Sequence, residues 1–524
     1  LFKTNPIETL GIEKWERLLN ILKDWTLPAL IQWNSLLTMM QNASLEDSIA
    51  PLLQSTMFCF HGTDGLRGPT SISLQPTLKD AILHWIQTHE ITPEFFESLA
   101  RNTVLAWETF TNTKISNVLI GCDPRDIYSD NPQTKECFYQ AILKGVLSLG
   151  KTVYDAGIIP IPCMPYTLAY YNYPYTDHEI SIALYKSASH NPASQDGLKV
   201  FICQTNEETG TTYYSKLPVR VECIIAALLY KEAQNGFTST KQGIHYPFHR
   251  QAREILRHTM WNEKNKPVVN NISFLVMDFA HGSFGSGEYN QSSVKKLVET
   301  MQIVGNQPNG KNINSNQGTD RVGAAHLENI VSISRQDIEF GNKFYGFPAL
   351  DALFQYGKQH NQELQTTGSA WALFTDGDGD RSYVALYEPK SDSLHIIDGD
   401  EALFQQIHQM HYEKQIKVGD TFSFTVESSI PFIQALYDFL QQHYPTRLIL
   451  SDKEKISDQH VNLKLCPVGD KHLLQWQCPG AESSGHILRK YIVVSKNNTT
   501  ENTVYTGNGP LAGLHTVAAI TRIL

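Results

Sequence analysis

Beyond residue 60 the chain alternates short apolar runs with stretches of helical spacing. Val118-Leu119-Ile120-Gly121 predicts a strand that ends in a loop, and 138–149 reads as the helix that follows. The same texture returns at 180–184, at 274–277 just ahead of Asp278, and at 371–374. Each run predicts a strand that delivers a polar loop. This β-loop-α rhythm predicts α/β domains with largely buried sheets, whose functional loops lie at strand C-terminal ends. Ahead of this region, residues 12–57 place Trp15, Leu18, Leu19, Leu22 and Trp25 at helical spacing with Pro28 as punctuation, which predicts an N-terminal helical extension with a packing role. Polar stretches at 204–212, 262–266 and 306–318 predict surface loops or boundaries.

A chain of 524 residues is too long for one core and suggests about three or four domains. Its 43 basic and 53 acidic side chains leave a net charge of -10, so nucleic acid is not the expected main partner. Any phosphate site must then be a local cluster of cations and backbone N–H groups. The eight cysteines form no C-x-x-C pair, which points to a reducing compartment, the cytoplasm, rather than a disulfide framework or zinc ribbon. The longest apolar runs, such as 224–229, are too short to span a bilayer, and no membrane partner is expected. The chain opens on Leu1, so it is expected to be part of a longer protein.

Four loops carry candidate chemistry. Ser187-Ala188-Ser189-His190-Asn191-Pro192 is small and polar and closes on proline, which predicts an exposed loop with a hydroxyl available for phosphorylation or attack. Alone, the same residues make an ordinary turn. Asp196-Gly197-Leu198-Lys199 follows, and Lys199 is able to neutralise a phosphate. Gly62-Thr63-Asp64-Gly65-Leu66-Arg67-Gly68 allows tight turns and offers Arg67 to an anion, or is a glycine-rich turn with a solvated arginine.

In Asp376-Gly377-Asp378-Gly379-Asp380-Arg381, carboxylates alternate with glycine directly after a strand, so a curled loop converges them on a hard divalent cation. An EF-hand is excluded, because its sixth position is Arg381 and its twelfth is Tyr387. Glu482-Ser483-Ser484-Gly485-His486 supplies a carboxylate and a hydroxyl for sugar hydroxyls and an imidazole for proton transfer, or else a polar turn with a surface histidine. The stretch from Gly305 to Lys311 mimics a P-loop but has Asn312 where a magnesium-binding hydroxyl belongs, and no helical pattern follows.

These loops, in this order from about Phe60 onward, resemble the α-D-phosphohexomutase superfamily, which includes phosphoglucomutases, phosphomannomutases and phosphoglucosamine mutases. The resemblance implies an α/β fold: three consecutive domains with mixed or parallel sheets around a cleft, at 58–240, 241–390 and 391–524, preceded by the helical extension at 1–57. The fourth domain of that family, whose loop binds the substrate's non-transferring phosphate, is not found in this chain. The resemblance further implies that Ser189 is phosphorylated in the active enzyme. Asp376, Asp378 and Asp380 would bind Mg2+ together with an oxygen at Ser189. His190, Arg67, Lys199 and His486 would serve catalysis, with His486 the first candidate base. Glu482, Ser484, Arg381 and Lys471 would bind the phosphosugar, and Asp123 and Arg125 fit another family segment.

Interconversion of a hexose 1-phosphate and 6-phosphate through a bound 1,6-bisphosphate is the implied reaction, with glucose 1,6-bisphosphate or its counterpart as activator. Glucose or mannose phosphate is the first expected substrate, although Lys311-Asn312-Ile313-Asn314 leans toward the glucosamine branch. Ala481 replaces the glycine that usually opens the sugar loop. The competing expectations are a phosphosugar-binding sensor or scaffold of weak activity, and an enzyme that loses its phosphoserine to water.

Overall fold

Among the described residues three sheets carry the chain, and each is built on the apolar runs that precede polar loops. In the computed structural model the described residues run from 65 to 522, apart from 126–136, 172–179, 320–346, 451–479 and shorter stretches that include 482–484. The helical extension expected at 1–57 lies outside them, as do Lys471, Glu482 and Ser484.

The first sheet contains β1 (Leu66–Pro69), β2 (Asn117–Cys122), β3 (Thr152–Ile158), β4 (Ile182–Lys186), β5 (Gln195–Thr205), β6 (Thr212–Lys216) and β7 (Ile244–Pro247). Its order is β1-β5-β4-β2-β3-β7, with β6 paired to β5. β2 and β4 are buried throughout, as their unbroken apolar runs require. Side chains alternate between two cores. Val118, Ile120, Ile182 and Leu184 face the helices α1 (Leu78–Thr88), α2 (Pro93–Thr111) and α3 (Cys137–Leu147). Leu119, Ala183 and Tyr185 face α4 (Cys163–Tyr171) and α5 (His249–Met260) on the other side. α2 starts where Thr92 Oγ1 accepts the Phe95 N–H at 3.3 Å with proline in its first turn, and it ends at Asn112 with φ 50°.

The second sheet is formed by β8 (Ile272–Asp278), β9 (Thr300–Val304), β10 (Ser369–Thr375), β11 (Ser382–Glu388) and β12 (Ser393–Ile397), in the order β12-β11-β10-β8-β9. Helix α6 (Pro348–Gln359) covers one face with Leu350, Leu353 and Phe354. After α7 (Gly399–Tyr412), the third sheet joins β13 (Thr421–Phe424), β14 (Arg447–Leu450), β15 (Gly480–Ala481), β16 (Ile487–Val494) and β17 (Glu501–Gly507) in the order β14-β13-β15-β16-β17. Helix α8 (Ile430–His443) lies between β13 and β14 in sequence, and α9 (Gly509–Thr521) closes the described chain. α9 packs on β10 so closely that a Cβ at Gly513 would sit 2.6 Å from Leu373 Cδ1. One continuous core runs from Leu119 through Leu373 to Val517 and ties the three sheets together.

The strand plan repeats. In each sheet one strand (β2, β8 or β13) pairs in parallel with the next two strands in sequence. The second of those two (β4, β10 or β15) then turns back into an antiparallel neighbour. The serine loop and the aspartate loop are the first two of those turns, and residues 482–486 lie in sequence between β15 and β16. β7 pairs with β3 and β12 with β11, so the first and second sheets extend beyond the limits expected at 240 and 390.

Between α5 and β8, Asn265 ties the connection to the third sheet. Its Nδ2 donates to Ile492 O at 2.8 Å, its Oδ1 accepts from Ile492 N at 2.8 Å, and its carbonyl lies 2.9 Å from His515 Nε2 of α9. Burial and the nearby Arg489 push the His515 imidazole well below its usual range, against a smaller opposing effect of that carbonyl. Once unfolded, His515 takes up a proton as pH falls through about 6.5, whereas the folded imidazole stays neutral. The unfolded state therefore binds more protons, and stability is lost as pH falls below that point. The urea midpoint is expected to fall between about pH 6.5 and 5, and to fall less steeply in His515→Gln.

Candidate active site

β4 ends at Lys186 and releases the serine loop into the space between the first two sheets. Ser189 adopts φ 55°, in the left-handed region that a serine rarely occupies. Its N–H donates to Ser187 Oγ at 2.7 Å, and its carbonyl accepts from Arg125 Nη2 at 2.8 Å and from Asn314 Nδ2 at 2.8 Å. The guanidinium of Arg125, bonded to Asp123, also reaches the carbonyls of Pro192 and Gln195. The seryl Oγ donates to Asp376 Oδ2 at 2.9 Å and lies 3.3 Å from Asp378 Oδ1. The exposed loop expected from the sequence is corrected here. Ser189 is 1% exposed, because the aspartate loop and Asn314 of the second sheet's domain close over it.

The aspartate loop curls as its alternating glycines allow. Asp376 Oδ1 accepts from the backbone N–H of Gly379 at 3.0 Å and of Arg381 at 3.2 Å, and Gly379 has φ 84°. The loop is also pinned from outside, since Ile161 N donates to Asp378 O and Ser283 N donates to Gly377 O, each at 2.9 Å. Asp376, Asp378 and Asp380 are all buried, and each offers one oxygen within 4.8 Å of the others. Burial and the charges of Asp378 and Asp380 hold the Asp376 carboxyl well above the usual carboxylate range. Burial pushes Asp378 the same way, but Lys199 outweighs it and keeps that carboxyl ionised, below its usual range. Among the described residues Asp380 Oδ1 is buried with no hydrogen-bond partner. A close set of buried oxygens, one of them orphaned, fits a hard divalent cation such as Mg2+.

Cations surround this set. Lys199 is 1% exposed, with Nζ 2.8 Å from Asp378 Oδ2 and 3.2 Å from Asp380 Oδ2, so it offsets the carboxylates directly. Arg381 Nε is 3.9 Å from Asp376 Oδ2. Arg381, burial and Arg67 together push the His190 imidazole down to about 2, so His190 is neutral beside two guanidinium groups. Its buried Nδ1 has no hydrogen-bond partner among the described residues. Two arginines converging on a neutral imidazole make a local anion site in an acidic protein.

His486 is buried rather than a surface histidine. It bridges to Arg381, its Nε2 lies 3.9 Å from Asp380 Oδ2, and Ser382 N donates to Gly485 O at 2.9 Å. The third sheet's turn thereby docks on the exit of the aspartate loop. Of the expected site residues, the structure thus brings together Ser189, His190, Arg67, Lys199, Asp376, Asp378, Asp380, Arg381 and His486. Glu482, Ser484 and Lys471 fall outside the described residues.

Sequence reasoning missed Asn314, which lay in a stretch read as a surface loop, and Ser187, whose Oγ donates to Asp378 Oδ2 at 3.1 Å. It also missed the fully buried pair Lys186–Asp196, whose charged atoms are 2.6 Å apart beneath the loop. Two signals pointed at Asn314 without giving it a role: its place just after the false P-loop, and the Lys311-Asn312-Ile313-Asn314 stretch that leans toward the glucosamine branch. That segment makes turns at 310–315 rather than a helix, as its rejection as a P-loop required.

Residues 79–210 match the family model of phosphoglucomutase/phosphomannomutase, alpha/beta/alpha domain I, which contains the serine loop. The chain is 26% identical over 467 residues to a phosphoglucosamine mutase of Staphylococcus aureus, covering 88% of this chain and 78% of the relative. It is 25% identical over 440 residues to a phosphoglucosamine mutase of Streptococcus uberis, covering 82% and 73%. The chain belongs to the α-D-phosphohexomutase superfamily. Enzymes of this superfamily are isomerases that transfer a phosphoryl group within the substrate, and the chain is an enzyme of that class. The superfamily fold is shared with a phosphoglucomutase/phosphomannomutase family protein from Burkholderia thailandensis, at a TM-score of 0.51 and 17% identity, covering 89% of this chain and 77% of that one. Among the described residues no helix is long and apolar enough to cross a membrane.

Proposed function

We propose that the chain interconverts a hexose 1-phosphate and a hexose 6-phosphate through a phosphoserine at Ser189 and a bound 1,6-bisphosphate. The observation that carries this reading is the placement of Ser189 Oγ against Asp376 and Asp378, residues 187 and 189 positions away in sequence. A serine with only a structural task has no need of a left-handed backbone, a carboxylate cluster and a ring of cations at once.

The phosphoryl group moves from Ser189 Oγ to the free hydroxyl of the sugar phosphate. The Oγ–P bond breaks, a new P–O bond to the sugar forms, the hydroxyl proton leaves to a base, and Ser189 Oγ takes up a proton as it departs. The bisphosphate then turns over and returns its other phosphoryl group to Ser189 Oγ. His486 flanks Asp380 and is the candidate proton acceptor beside the carboxylate set, whereas Lys199, paired with Asp378 and Asp380, acts as a cation. Arg67 and Arg381 hold negative charge on the transferring group, and the fixed serine loop supplies positioning. Asp376, Asp378 and Asp380, with Ser189, would hold Mg2+, which when bound neutralises charge on the phosphoryl oxygens.

The relatives in Staphylococcus aureus and Streptococcus uberis are phosphoglucosamine mutases, so glucosamine phosphate is the first substrate to test, ahead of glucose and mannose phosphate. Purified protein with Mg2+ and a trace of the matching 1,6-bisphosphate is expected to equilibrate the 1- and 6-phosphates of one of these sugars. Release of inorganic phosphate without isomerised sugar would overturn the mutase assignment.

A further inference from the structure

We infer that Asn314 is a positioning residue that keeps the serine loop in register with the aspartate loop across the junction of the first two sheets; the inference rests on the phosphoserine reading above. Ser189 sits at φ 55°, in the left-handed region that a side chain with a Cβ disfavours, so its neighbours must hold it there. Three hydrogen bonds fix the two peptide groups that flank it. Ser187 and Arg125 supply two of them from the same domain. The third comes from Asn314, on the segment after β9, whose Nδ2 also lies 3.2 Å from Asn191 O.

Asn314 is itself fixed from below. It is 7% exposed, its backbone N–H donates to Ala280 O at 3.0 Å, and it adopts φ 59°. Its segment is wedged between the Pro124–Arg125 turn that follows β2 and the aspartate loop. A Cβ at Gly310 would sit 2.1 Å from Arg125 O. On the other side, a Cβ at Gly377 of the aspartate loop would sit 2.5 Å from Ile313 Cδ1 and 3.0 Å from Asn314 Nδ2. The amide group therefore touches the backbone of both loops whose separation sets the distance from Ser189 to the carboxylates.

Two carbonyl oxygens need a donor at this point, and a primary amide supplies two N–H bonds on one nitrogen. Among the described residues Asn314 Oδ1 is buried with no hydrogen-bond partner, an arrangement that costs stability rather than adding to it. Its placement is therefore explained by the serine loop and not by packing.

The test compares Asn314→Gly, which removes the amide but tolerates the left-handed backbone, with Asn314→Asp, which keeps the shape and sets a carboxylate against two carbonyls. Exposed Asn312→Gly is the control. Both Asn314 variants are expected to lower kcat about 10- to 100-fold with KM for the sugar phosphate within about twofold. Melting temperatures of Asn314→Gly and wild type should stay close, which a purely structural role would not allow. Hydrogen exchange of the peptide spanning 187–195 should quicken about tenfold or more in Asn314→Gly and not in Asn312→Gly.

Wild-type exchange in Asn314→Gly, or faster exchange beside an unchanged kcat, overturns the assignment. If Asn314→Gly does not fold, the kcat and exchange of Asn314→Asp decide in its place. If the wild-type protein shows no mutase turnover, the functional reading fails by itself and the exchange result alone decides on Asn314.

Discussion

Ser189→Ala is expected to lower mutase turnover by on the order of 10⁴-fold or more, and to abolish labelling by a radiolabelled sugar bisphosphate. The size follows from what the substitution removes. Ser189 Oγ is the loop hydroxyl directed at Asp376 Oδ2, and an alanine at the same position leaves the cation set and the carboxylates with no oxygen to carry the phosphoryl group. A second hydroxyl lies nearby, because Ser187 Oγ donates to Asp378 Oδ2 at 3.1 Å. That oxygen already accepts the Ser189 N–H, however, and Ser187 is fully buried at the base of the loop. Ser187→Ala is therefore expected to keep the label and lose part of the rate, since it loosens one anchor without removing the acceptor. Intact mass should show one added phosphoryl group on wild type and on Ser187→Ala, and none on Ser189→Ala. Turnover by Ser189→Ala at the wild-type rate would sink the phosphoserine mechanism.

The strands that deliver these loops could be read from the chain because they are buried on both faces. Expectations at 118–121, 180–184, 274–277 and 371–374 each fall within or beside an observed strand, since a covered strand must be apolar at successive positions. The aspartate loop was legible for an electrostatic reason: three carboxylates in five residues need a cation or a strong counter-charge. What could not be read is how the loops meet. Burial of Ser189 depends on Asn314 and on Asp376, contacts 125 and 187 positions away, and no local pattern encodes them. Lys199 suggested a phosphate ligand by its charge, yet its Nζ is bound by two carboxylates. The threefold repeat of the strand plan also left no trace in residue spacing. Helices and loops of different lengths separate equivalent strands, although Asp123 and Asp278, each just after or at the end of the equivalent strand, accept the N–H of the residue two places on.

The carboxylate triad should respond to a single charge removal with opposite signs, according to whether a divalent cation is present. Without the cation, Asp376 is held above its usual range by burial and by Asp378 and Asp380, so the folded protein keeps a proton there that the unfolded chain gives up above about pH 4. The folded state then binds more protons than the unfolded state. Stability of the cation-free protein should therefore fall as pH rises from about 4 toward neutrality, the reverse of the His515 effect. Asp376→Asn relieves that cost and is expected to be more stable than wild type at pH 7 in chelator.

Addition of Mg2+ should change the order. A ligand at 100 times its Kd adds about 2.7 kcal/mol to a protein that binds it only when folded, so wild type should gain several degrees in melting temperature. Asp376→Asn should gain far less, because one of the three buried oxygens no longer carries charge. Turnover should follow the cation, with chelation silencing wild type and excess Mg2+ restoring it. Melting curves of both proteins, with chelator and with excess Mg2+, decide the matter: equal Mg2+ shifts in the two would mean that the ion binds elsewhere, and a less stable Asp376→Asn in chelator would mean that the triad is not held against its own repulsion.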